Sequence, residues 1–167
     1  MILGMSLASF TQLHVIISLV AIISGIAVVI GMLGAKRLPG LTALFLATTA
    51  ATSVTGFMFP TAFDAADVIG IISLVFLASA ILALYTYKLA GAWRGVYVVS
   101  AMAALYFNCF VLVVQSFMKI PFFHALAPTQ KEPPFAVAQG VLLILFIGLG
   151  VAAFKRFRPL ARVHAIA

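Results

Sequence analysis

Acidic side chains are almost absent from this chain: Asp and Glu together number 3 in 167 residues, against 10 Lys and Arg. Charged residues of both signs make up 8%, where a soluble domain carries about 25%. So few charges cannot cover the surface of a soluble fold of this size. There is one cysteine, Cys109, so no internal disulfide can form and cysteine usage says nothing about redox compartment. The short motifs of catalysis are missing as well: no HExxH, GxSxG, CxxC, P-loop or Rossmann glycine signature occurs. No carboxylate lies inside any long apolar stretch, which argues against a proton-coupled pump of the usual acidic kind. No Lys or Arg precedes Thr11. The basic leader of a cleaved signal peptide is therefore lacking, and the first apolar stretch is expected to stay as a span.

What the chain has instead is hydrocarbon. Hydrophobic residues make up 65%, and mean hydropathy is +1.28. Soluble globular, disordered, collagen-like and disulfide-rich classes are excluded, which leaves a polytopic membrane protein. The net charge of +7 does not indicate a nucleic-acid partner, because the charges sit at the ends of apolar runs.

Five uncharged stretches run roughly over 11–34, 40–60, 68–87, 95–118 and 135–154. Each reaches the ~20 residues a helix needs to cross a ~30 Å hydrocarbon core. Strands would leave backbone groups unpaired in lipid, and the alternation of a barrel is absent. The expectation is an all-α bundle of five transmembrane helices in a single domain, 1–167. Lys36, Arg37, Lys88, Arg94, Lys155, Arg156, Arg158 and Arg162 share one side, eight of the ten cations. The positive-inside rule then puts the N-terminus out and the C-terminus in. Trp93, Tyr85, Tyr87 and Tyr97 near the inner boundary suit an aromatic belt. The longest connection, 119–134, holds Pro121, Pro128, Pro133 and Pro134 and is expected to form an ordered outer cap. The compact loops suggest a bacterial inner membrane.

Small residues recur four apart: Ala43/Ala47/Ala51, Thr48/Thr52/Gly56, Ala21/Gly25, Ala27/Gly31 and Gly148/Ala152. Such faces let helices approach closely, within a bundle or in a homo-oligomer. Asp64 and Asp67 precede an apolar run, where an N-cap and a first-turn acid belong. Cys109 reads as a small apolar filler. The tail Lys155–Arg162 reads as an anchor on anionic lipid, and His164 beyond it as solvated.

Polar residues inside the spans are few and unevenly placed. Tyr97, Ser100, Ala104, Asn108, Val111 and Gln115 step by three or four along one helical face, which should point into the bundle because amides facing lipid are costly. His14, Ser18, Thr52, Thr55, Gln139 and, in the cap, His124 lie at similar depth. These eight residues, His14, Ser18, Thr52, Thr55, Asn108, Gln115, Gln139 and His124, either hydrogen-bond between helices or line a polar pocket in the outer half. His14 and His124 are also the candidates for a haem or metal site, the latter with Asp64, Asp67 or Glu132.

His14 at the start of span one, the K-R-x-P-G turn and a Thr-rich second span ending T-G-F-M-F-P resemble small bacterial polytopic membrane proteins of unassigned function. Some of these are reminiscent of four-helix b-type cytochromes. The resemblance covers mainly residues 12–60 and would imply haem held between histidines on facing spans; here no second span contains a histidine. The segment A-P-T-Q-K-E-P-P-F (127–135) has the look of a family signature. The function expected first is non-enzymatic: binding a small amphiphile such as a lipid or quinone, or serving as accessory subunit of a membrane complex. A redox protein with haem or metal near His14 and His124 is the alternative, and a small transporter or channel the third.

Overall fold

The computed structural model describes residues 2–60, 62–63 and 65–158. Asp64, Arg162 and His164 lie outside them, as does the C-terminal part of the basic tail. The described chain is helical, with no strand beyond an isolated Ile2–Met5 bridge. Helix α1 spans Leu7–Leu33, α2 Pro39–Gly56, α3 Ala65–Ile81, α4 Trp93–Lys119, α5 Pro121–Leu126 and α6 Pro133–Arg156. A π-helical turn, Leu82–Thr86, prolongs α3.

Local chemistry sets these limits. The Ser6 hydroxyl accepts from the Ser9 amide and starts α1, four residues before the expected boundary. At its other end the Lys36 amide reaches back to the Gly31 carbonyl at 2.8 Å while Ala35 takes φ 55°, the left-handed reversal that commonly closes a helix. Prolines open α2, α5 and α6 from their first turns, where a missing N–H costs nothing. After the π turn, Lys88, Leu89 and Gly91 all take positive φ and turn the chain into α4.

The structure refines two sequence expectations. Of the five expected spans, four are helices long and apolar enough by themselves to cross a membrane: Leu7–Leu33, Ala65–Thr86, Trp93–Lys119 and Pro133–Arg156. Helix α2 has 18 residues, about 27 Å at 1.5 Å per residue. It also carries Thr42, Thr48, Thr49, Thr52 and Thr55. The stretch counted to residue 60 is helical only to Gly56, and the rest is turn. The 119–134 connection, expected as an ordered cap, contains α5, with Pro121 at its first helical turn.

Consecutive long helices run antiparallel. Helix α4 is the hub, touching α1, α2, α3, α5 and α6. The core gathers around Phe45, Met32, Val98 and Leu105. Gly25 lies where Phe45 of α2 and Leu105 of α4 converge: a Cβ there would come within 2.9 and 2.6 Å of them. Of the small-residue faces, Ala21 and Gly25 are buried, whereas Ala43, Ala47 and Gly148 are exposed. Hydroxyls on the helices satisfy themselves on the preceding turn, as Ser24, Thr48 and Thr55 do, so they tolerate apolar surroundings.

The antiparallel order separates charge. Lys36, Arg37, Lys88, Arg94, Lys155, Arg156 and Arg158 collect at one end of the bundle. Asp67, Lys119, Lys131 and Glu132 lie at the other. Asp67 sits in the first turn of α3, as its spacing predicts. Glu132 flanks α6. Its carboxylate accepts from the Thr129 hydroxyl at 2.8 Å and from the Thr129 and Lys131 amides. Partial desolvation works against the charge, but these hydrogen bonds prevail and hold the carboxyl below the usual Glu range.

Candidate functional site

The polar side chains of the His14 end sort by helix pair. Between α1 and α2, His14 Nδ1 lies 2.7 Å from Thr55 Oγ1. Thr55 directs its own proton to the Ala51 carbonyl at 2.7 Å, so the hydroxyl accepts and His14 donates from Nδ1. The His14 ring also stands edge-on to Phe59, centroids 5.2 Å apart, and Phe59 meets Phe10 in the same manner. Between α2 and α4, Asn108 donates to the Thr49 hydroxyl at 3.2 Å. Between α4 and α6, Gln139 donates to the Phe110 carbonyl at 3.3 Å.

The remaining expected residues sit differently. Ser18 donates to the His14 carbonyl of its own helix at 2.7 Å. His124 Nδ1 is 3.2 Å from the Phe117 carbonyl, which fixes α5 on the end of α4. Both histidines thus have Nδ1 committed to structural partners. No group of three or more His, Cys, Asp or Glu side chains suited to a metal ion occurs among the described residues. Thr52 Oγ1, Gln115 Oε1 and Gln139 Oε1 are buried with no hydrogen-bond partner among the described residues, the groups for which a further donor or acceptor would be most favourable.

Sequence reasoning missed three residues. Thr49, fully buried, was hidden among similar hydroxyls. Gln130 donates to the Val114 carbonyl at 3.1 Å, a non-local contact without a pattern. In the sequence Arg94 reads only as a topology charge. Its Nη1 donates to the Phe154 and Phe157 carbonyls, both at 2.8 Å, and its guanidinium lies 5.2 Å from the Phe154 ring centroid. It therefore caps the C-terminus of α6.

Gln139 heads a stripe along α6: Leu142, Phe146 and Leu149 follow at three, seven and ten residues, one face of a helix. That face closes an apolar groove of about 360 Å³ between α1 and α6, floored by Leu105 and Cys109 of α4, with Ile26 and Val29 of α1 opposite. Its rim residues Ile30 and Leu145 are exposed, so it opens sideways. The groove presents only apolar surface, and on the α6 face that borders it the unpartnered Gln139 oxygen lies one turn before Leu142. No family model, curated protein or solved structure matches this chain.

Proposed function

We propose that this is a small integral membrane protein that binds an amphiphile, the chain of the ligand lying in the α1–α6 groove and its hydrogen-bonding group meeting Gln139. The observation that carries this reading is the shared α6 face: an apolar groove of ligand size lies along the same face as a half-buried amide whose buried oxygen lacks a partner. A lipid or quinone with a hydroxyl or amine donor fits that chemistry, because it satisfies Gln139 Oε1 without placing a charge in hydrocarbon.

The same proposal takes α2 as a fifth span. It runs back along α1 for most of its length and turns its hydroxyls onto its own carbonyls. The collected cations then lie inside, with the N-terminus out, in a bacterial inner membrane. Reporter fusions at the C-terminus should report the inner side.

The binding reading is tested by purifying the protein in mild detergent, extracting it with organic solvent and comparing the extract by mass spectrometry with the bulk membrane lipids. One amphiphile class should be enriched, and enrichment should fall several-fold in Leu142→Trp, which fills the groove, and in Gln139→Leu. An extract matching bulk lipid, or one unchanged by Leu142→Trp, overturns the proposal.

A further inference from the structure

A second cavity lies at the opposite, cation-rich end, independent of the groove and of its occupant. It measures about 50 Å³, and Lys36 and Arg37 of the α1–α2 turn, Thr42 of α2, Tyr85 and Tyr97 line it, with Phe157 closing the wall. At about 10–15 Å³ per water-sized group, this volume takes one group of phosphate size. The walls combine two exposed cations with two buried hydroxyl groups: Thr42 and Tyr97 are 5% and 2% exposed, and the Tyr97 phenol sits against the Thr42 side chain.

Three independent features shape this place. The first turn of α2 borders the cavity and no side chain caps it, so its amide dipoles add positive potential to that of the two cations. The π turn Leu82–Thr86 re-registers the end of α3 so that Leu84 and Tyr85 face the cavity, and π insertions gather at functional sites. No described Asp or Glu lies at this end to neutralise Lys36 and Arg37.

We propose that this cavity is a phosphate-binding site, with Arg37 and Lys36 holding the anion and the paired Tyr97 and Thr42 hydroxyls together donating one hydrogen bond to its oxygens. Phosphate chemistry has two sources here, the headgroup of an anionic lipid in the adjacent leaflet and free inorganic phosphate. Arg37 supplies a planar fork suited to two phosphate oxygens.

The test follows thermal unfolding of the detergent-purified full chain with three probes: short-chain phosphatidylglycerol, short-chain phosphatidylcholine and inorganic phosphate. Phosphatidylglycerol or phosphate should raise the midpoint in a saturable manner, and Arg37→Gln should weaken the apparent affinity at least tenfold. Tyr97→Phe, which keeps the buried ring, should weaken it less. Lys155→Gln, at the same end but outside the cavity, should leave it within twofold. Protection by phosphatidylglycerol alone identifies a lipid headgroup, and protection by phosphate as well identifies a free-anion site; both sustain the proposal. Equal loss in Lys155→Gln and Arg37→Gln overturns it, since general surface charge then suffices. So does equal protection by phosphatidylcholine and phosphatidylglycerol without effect of phosphate, or no protection by any probe.

Discussion

Helices α2 and α6 make opposite bargains with their surroundings. Helix α6 is long and apolar enough to stand in lipid by itself, and Ala153 is its only buried residue. Helix α2 falls short of that hydropathy, yet it buries Phe45, Leu46 and Thr49 and bonds through side chains to both α1 and α4. Hydropathy therefore reports how much lipid a helix can face, not how firmly it is packed. In hydrocarbon there is little hydrophobic drive between helices, so the less apolar helix, with more hydroxyls and closer backbone approach, is the better-held one. The loosely held helix is the one that borders the groove.

The sharpest way to break this contrast is at Gly25, where α1, α2 and α4 meet. Gly25→Leu should destabilise the bundle by more than 1–3 kcal/mol, the usual cost of overpacking being about that size, and lower the thermal midpoint in detergent more than any other single change named here. The equivalent insertion on α6, Gly148→Leu, meets open space and should leave the midpoint within experimental scatter. Comparable losses from both would show that α6 is as tightly packed as α2.

Next comes the tether of α6. Arg94→Met removes two hydrogen bonds to carbonyls at its end and should cost about 1–2 kcal/mol, charged hydrogen bonds being discounted for partial exposure. Its signature should be faster hydrogen exchange confined to residues 150–157, with α2 unchanged. The interhelical amides rank below it. Asn108→Leu should cost about 0.6–1.7 kcal/mol and Gln139→Leu about 0.6 kcal/mol, the range of such bonds in membranes. A double-mutant cycle of Asn108→Leu with Thr49→Val should show coupling.

The smallest effect belongs to Glu132. Its carboxyl is held below the ordinary Glu value by its hydrogen bonds. The stability it contributes is present above that value and is lost as pH falls through its lowered folded-state pKa. A midpoint measured across acid pH should fall there in the wild type and fall less in Glu132→Gln. An identical profile for both proteins would remove Glu132 from the account of how α6 begins.

Much was legible before any coordinates. Lipid leaves the backbone one economical solution, so apolar runs bounded by Lys36–Arg37, Lys88–Arg94 and Lys119 read directly as helices, and 3.6-residue spacing put Asn108 and Gln115 on one face of α4. Helix ends were less legible because they depend on single local features: the Ser6 hydroxyl extends α1 backwards, and Pro121 starts α5 within the expected cap. The candidate residues were found by their rarity in an apolar chain. Which of them meet was not readable, since His14–Thr55 and Asn108–Thr49 join positions 41 and 59 residues apart.

The sequence by itself determined the solvent this protein lives in, the helical class that solvent demands and the segregation of its charges. All three follow from composition and local period. Tertiary structure alone decided that Leu142, Phe146 and Leu149 of α6 face α1 across an apolar groove, that Arg94 caps another helix instead of merely marking a side, and that Lys36, Arg37, Thr42 and Tyr97 surround one cavity. Those facts depend on which helix faces go together, and helix pairing in lipid is set by close shape fit and a few hydrogen bonds, terms that no single stretch of sequence contains.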